Sequence, residues 1–191
     1  MNENSESYSS LFPEKCRSLK FLCTMPYVNL LAMEKQSGFW YRSGFFGLSC
    51  GMEYYVDTNE YISVQAATST DVPIPFPAAI DFIEPYERYF SDFVNAKYNI
   101  ILDRFHIGAG IHYSVNSWFL FNETLHGSGS ARKYNHCMGI SLSAYYQLFE
   151  TFFAGVVFQP GFIDLDNNFS MSKQFYLGID LAWKLKILNL E

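Results

Sequence analysis

Apolar side chains recur at every second position in one stretch after another of this chain, and no stretch is apolar throughout. The clearest case is Asn135 to Leu148, NHCMGISLSAYYQL. Here Met138, Ile140, Leu142, Ala144, Tyr146 and Leu148 alternate with Cys137, Gly139, Ser141, Ser143, Tyr145 and Gln147. A period of two places successive side chains on opposite faces of a β-strand. Such a strand has one apolar face and one small, polar face.

The alternation predicts eight strands: Leu19–Leu31, then residues 46–56, 62–69, 88–99, 106–116, 135–148, 151–159 and 174–187. Asp92 and Lys97 blur the fourth. No helical periodicity of useful length and no repeat beyond the hairpin rhythm are present. Connections around 57–60, 100–105 and 149–151 are short. Those reading EKQSG, TDVPIPFPAAIDFIEPYE, FNETLHGSGSARK and DLDNNFSMS are longer. Short turns at one end and long loops at the other are the pattern of a membrane-spanning β-barrel. An even strand count puts both termini at the short-turn end.

Composition decides which face looks inward. Charged residues make up 17% of the chain and aromatics 19%, with 14 Tyr and 19 Phe, whereas a soluble domain carries about 25% charged residues. The apolar faces hold no charge. The opposite faces hold Glu53, Asp180, Lys184 and Lys186 among Gly, Ser, Gln, Asn, His and Tyr. A wet sheet face usually carries many charges that block edge pairing, while small hydrogen-bonding residues suit the interior of a narrow barrel. The expected fold is therefore all-β: an eight-stranded antiparallel up-and-down transmembrane β-barrel over residues 18–191, its apolar face toward lipid. It follows a polar N-terminal segment, 1–17, expected to be poorly ordered. Trp183, Tyr54, Tyr113 and Phe158 are placed for interfacial girdles. The alternative is a soluble lipocalin-like barrel, apolar faces inward, binding a small apolar ligand.

A formal net charge of -6 argues against nucleic acid, which needs a basic surface. Cys16, Cys23, Cys50 and Cys137 lack metal-ligand spacing; they read as small fillers, with a disulfide between adjacent strands left open. No metal or cofactor is expected. The segment KCRSLKFLCTMPYVNLLAM has a basic start and an apolar middle, but Thr24, Pro26 and Asn29 interrupt it. It reads as the first strand, so an exported chain would carry its signal outside these 191 residues.

The last strand, YLGIDLAW, resembles the terminal signal of bacterial outer-membrane proteins, with Tyr176, Gly178, Leu181 and Trp183 at its defining positions. That resemblance implies recognition by the barrel-assembly machinery. The chain departs from it by running on past Trp183 as KLKILNLE. More broadly, GFFGLSCGMEYYVDTNEYISVQAATSTDVPIPFPAAID, IGAGIHYSVNSW and LGIDLAWKLKI resemble a family of small, OmpA-like outer-membrane barrels of Bacteroides-type bacteria. The likeness implies a Gram-negative outer membrane and lipid as a partner, and brings no known activity.

Two sets of residues invite a functional reading. IHYS places His112 and Ser114 on one face of one strand, similar to the catalytic pair of outer-membrane lipid A deacylases. A serine hydrolase also needs an acid to orient its histidine, and Glu53 is the candidate by type. Yet parity puts the pair on the interior face, and Val115 stands where that family has Asn. The plainer role is that of interior polar residues, in a network with Glu53, Gln65, His106, Tyr145, Asp180 and Lys184; buried charges must be paired or hydrogen-bonded. A narrow, filled interior is not expected to conduct. The second set is the proline-restrained loop after the third strand. Phe76, Ile80, Phe82 and Ile83 would form an apolar surface there, either binding a ligand or protein or folding over the barrel mouth.

Overall fold

The computed structural model describes residues 16–35, 38–73, 86–121, 131–166 and 170–189. Eight strands occupy nearly all of them: β1 Ser18–Lys35, β2 Gly38–Asp57, β3 Glu60–Val72, β4 Tyr86–Leu102, β5 Phe105–Phe121, β6 Ala131–Gln147, β7 Phe152–Asp164 and β8 Ser170–Asn189. Each pairs antiparallel with its chain neighbour, and β8 pairs with β1 to close an up-and-down barrel. Closure leaves no sheet edge, so every strand has a hydrogen-bonding neighbour on both sides. All eight expected strands are present, and several run further toward the long-loop end than the alternation extends. The blurred fourth strand is regular: Tyr89, Ser91, Phe93, Asn95, Lys97 and Asn99 are buried, while Asp92, Val94, Tyr98 and Ile100 are exposed. Lys97 was in phase as an interior residue. The confusion came from aromatics that face inward and from an aspartate that faces outward.

Register tilts the strands. Partners followed round the sheet from Leu19 pass through Tyr54, Ile62, Tyr98, Ala109, Leu142, Phe158 and Leu177 and return to β1 at Leu30, eleven residues along. Such a stagger is what closing a tilted sheet requires. Two irregularities lie side by side in the loop-end half. β1 shifts register between Pro26 and Val28, where proline has no N–H to give a ladder. β2 shifts between Phe45 and Gly47, with Phe46 at a φ of 69°.

The two faces are the reverse of a soluble barrel. Outward side chains are apolar and open, such as Leu48 at 61% and Ile111 at 63% exposure. Inward ones include Tyr55, Tyr61, Glu53, Lys97, His106, Asp180 and Lys184, all nearly fully buried. The lipocalin-like alternative is overturned, because it needs the apolar faces inside. Lys186 shares the phase of Lys184 but is exposed near the end of β8. Outward aromatics gather toward the two ends. Near the short turns, Phe105 meets Tyr146 with ring centres 5.0 Å apart and Phe152 meets Trp183 at 4.9 Å. Toward the loops, Tyr27 meets Phe45 at 5.9 Å and Phe158 meets Phe175 at 5.9 Å.

Candidate functional site: the polar interior

The interior is a set of linked polar groups carried by residues that alternate with the outward apolar ones. In the short-turn half, Lys184 of β8 meets Glu53 of β2, Nζ to Oε1 2.9 Å. Lys184 Nζ also donates to the Tyr61 hydroxyl at 2.9 Å and lies 4.5 Å from the ring centres of Tyr61 and Phe153. Tyr55 donates to Glu53 Oε2 at 3.1 Å and stacks on Tyr61 at 4.8 Å. His106 Nδ1 lies 3.3 Å from both the Tyr61 hydroxyl and Lys184 Nζ, and Lys20 Nζ sits 4.6 Å above the Tyr55 ring. Aromatic faces and a carboxylate thus surround the Lys184 cation, which offsets its loss of hydration.

A step further toward the loops, Lys97 Nζ donates to Ser143 Oγ at 3.0 Å and the Tyr145 hydroxyl donates to Asp180 Oδ2 at 3.0 Å. Gln65 Nε2 donates to Thr24 Oγ1 at 2.9 Å and also to Ser49 Oγ. Above these Tyr176 projects into the bore: its hydroxyl donates to Asn29 Oδ1 of the adjacent β1 at 2.8 Å and its ring lies 5.2 Å from that of Phe93. Asn29 Nδ2 in turn donates to the Phe46 carbonyl at 2.8 Å, tying the bulged segment of β2 to the interior.

In the loop-end half, His112, Ser114, Ser91, Asn116, Gln159 and Gln174 line a small cavity that Leu31, Met33 and Phe175 also line. A relay crosses it: Ser91 donates to Asn116 Oδ1 at 2.7 Å, and Asn116 Nδ2 donates to Gln174 Oε1 at 2.8 Å. Gln174 Nε2 then donates to Asn135 Oδ1 at 2.7 Å, and Asn135 Nδ2 to Asp164 Oδ2 at 2.9 Å. Gln159 Nε2 donates to Ser141 Oγ at 3.2 Å, while its buried Oε1 meets no protein donor. With an open acceptor and a volume of about 10 Å³, the cavity suits at most a single water. At its loop end Arg42 pairs with Glu87 at 3.4 Å, and Asp71 Oδ1 accepts the Tyr89 N–H at 3.1 Å.

The sequence-named residues divide between these regions. Glu53, His106 and Lys184 form one cluster, Tyr145 and Asp180 a second, and Gln65 a third. His112 and Ser114 line the cavity instead. His112 Nδ1 is held by the Ile140 carbonyl at 3.1 Å. Among the described residues no carboxylate hydrogen-bonds to His112, and Glu53 belongs to Lys184. A Ser-His-acid relay is therefore not assembled. Tyr176 and Gly178 face inward, with the Tyr176 hydroxyl over Gly178, while Leu181 and Trp183 face outward. Phe76, Ile80, Phe82 and Ile83 lie outside the described residues. The sequence reading missed Tyr55, Tyr61, Asn95, Lys97, Asn99, Asn116, Gln159 and Gln174. Parity with polar neighbours was the signal that could have found most of them. Among the described residues no group of three or more His, Cys, Asp or Glu could hold a metal ion.

No protein-family profile matches the chain, and no curated protein matches it significantly. Solved structures do. Neisserial surface protein A (NspA) superposes with a TM-score of 0.53 at 11% identity, covering 91% of this chain and 100% of that one. Ail, the attachment invasion locus protein of Yersinia pestis, gives a TM-score of 0.56 at 6% identity over 88% of this chain and 99% of that one. Ail in complex with the heparin analogue sucrose octasulfate gives 0.54 at 4% identity, with the same coverage of 88% and 99%. At these identities the likeness is one of fold, that of a small, closed, eight-stranded β-barrel.

Proposed function

We propose that this chain is an outer-membrane barrel of a Gram-negative bacterium, related to the small barrels of Bacteroides-type organisms, that binds a ligand or protein through its long loops. The observation that carries the reading is the inverted distribution of polarity. A charged, hydrogen-bonded interior is wrapped in a mainly aliphatic face between aromatic zones, with Asp92 outward in the loop-end half of β4. An apolar face of this kind is the arrangement lipid requires. Strands of 13 to 20 residues exceed the roughly 9–11 needed to cross a bilayer. The excess would raise the loop end above the membrane as a rigid platform. The packed interior then acts as a scaffold rather than a channel. Tyr176, Gly178, Leu181 and Trp183 would serve the barrel-assembly machinery, and the outward face would meet outer-membrane lipid. That Ail was solved with a heparin analogue makes a sulfated saccharide a sensible first probe for the loops.

The test is heat-modifiability on a gel, with the protein made behind an export signal and extracted from membranes. A boiled sample that migrates differently from an unboiled one, from a protein soluble only in detergent, supports the reading. A protein soluble without detergent and showing no shift overturns it.

A further inference from the structure

Cys23 and Cys50 are direct cross-strand partners in the β1–β2 ladder. Both point outward; Cys50 is exposed and Cys23 half-buried, and neither is bridged in the structure. The phase of the hydrogen bonds shows how close such a pair stands. Lys184 N–H donates to the Thr151 carbonyl at 2.9 Å, so inward residues of β8 bond to β7. Successive residues of a strand aim their backbone groups at opposite neighbours, so the outward Trp183 bonds to β1. Its partner there is Cys23. The backbone of Cys23 is thus committed to β8, and the Cys23–Cys50 pair is of the non-hydrogen-bonded class. In that class facing Cα atoms are about 4.5 Å apart and side chains are at their closest. A disulfide needs about 4.4–6.8 Å between Cα atoms.

The location gives the bridge a purpose. The β1–β2 ladder runs without a break from Leu19↔Tyr54 to Thr24↔Ser49 and then has no paired residues until Val28↔Phe45. Pro26 and the Phe46 bulge cause the gap. Cys23↔Cys50 is the second rung below it, in the hairpin whose β1 also forms the closing seam with β8.

We propose that Cys23 and Cys50 are a modification site, a dithiol that oxidises to a cross-strand disulfide and clamps β1 to β2 beside the interrupted ladder. The oxidant is a disulfide, either of a thiol–disulfide oxidoreductase in the export compartment or of oxidised glutathione. One cysteine thiolate attacks a sulfur of that disulfide and expels a thiolate. The second cysteine attacks the mixed disulfide and expels the other. Two electrons pass from the cysteines to the oxidant, and their two protons go to the leaving thiolates. The export-compartment oxidant rests on the outer-membrane reading, because disulfides persist in oxidising compartments; the geometry does not.

The experiment uses the full chain carrying Cys16→Ser and Cys137→Ser, folded in detergent micelles with reduced and oxidised glutathione. The folded state is checked in the same sample by gel shift. Expected is a mass lower by two hydrogens, loss of both alkylatable thiols, and a Cys23 peptide joined to a Cys50 peptide in a non-reducing digest. The shifted band should also persist to a higher urea concentration than after reduction. Adding Cys23→Ser should leave Cys50 alkylatable. A folded, gel-shifted protein with both thiols still free overturns the proposal, as does bridging only between two molecules. A bridged protein that is soluble without detergent would overturn the outer-membrane reading and leave the disulfide standing.

Discussion

Lys184 Nζ and Glu53 Oε1 stand 2.9 Å apart with each side chain only 2% exposed, joining β8 to β2 over the inner face of β1. Removing one partner leaves the other charged and dry. Glu53→Ala is expected to destabilise the barrel by about 3–5 kcal/mol. The joint replacement Glu53→Gln with Lys184→Met should lose much less. Urea unfolding in micelles, followed by the gel shift, compares them. Equal losses in single and double variants would mean the pair does not act as a unit.

Gly155 makes room for a ring. A Cβ built there would strike the Tyr145 ring, whose hydroxyl holds Asp180. Gly155→Ala should displace the ring and cost about 1–3 kcal/mol, read as a lower unfolding midpoint. An unchanged midpoint would show that Tyr145 has space the packing does not reveal.

Ile111 is 63% exposed on the outward face, between Ala96 and Ile140 and away from the aromatic zones. If lipid covers that face, Ile111→Arg costs about 2–4 kcal/mol of folding into vesicles. A variant that folds into vesicles as well as the parent would mean lipid does not meet Ile111.

Asp57 ends β2 in a short turn, beyond the part of the strands that would cross the proposed membrane. The Thr58 N–H and, less strongly, the Cys16 thiol hold its carboxyl below its ordinary value of 3.8. A depressed folded-state pKa means these contacts favour the fold above the ordinary value. That contribution fades as pH falls through the depressed one. A carboxyl-carbon NMR titration in micelles should find the Asp57 midpoint below 3.8, moving back up in a Cys16→Ala variant. A midpoint at the ordinary value would show the turn to be open in solution.

Ser114 lies in the cavity with His112, whose Nδ1 is taken by a backbone carbonyl. Ser114→Ala should leave the acylation of lipid A in producing cells identical to that with the parent protein, by mass spectrometry. A change in acyl chains that disappears in Ser114→Ala would restore the hydrolase.

The strands and their phase were legible in the sequence, because a strand writes its two environments into every second residue. Loop length was less so, since only residues 36 and 37 separate β1 from β2, where EKQSG read as a longer link. Tyr145 and Met138 could be assigned to opposite faces without coordinates. So could the outward set from Phe46 to Val56. What no local pattern contains is the height at which residues on different strands meet. That height depends on tilt, seen in the walk from Leu19 round to Leu30, and on bulges such as those at Pro26 and Phe46. These put Lys184 against Glu53 rather than Asp180. They bring the Tyr176 hydroxyl over Gly178 to Asn29 on the neighbouring β1, and among the described residues they leave His112 with no carboxylate hydrogen-bonded to it. The register of β1 on β2 likewise made Cys50 the partner of Cys23. Face is a local property of alternating burial. Partnership across a barrel is a sum of staggers round the whole ring, and only the closed tertiary structure performs that sum.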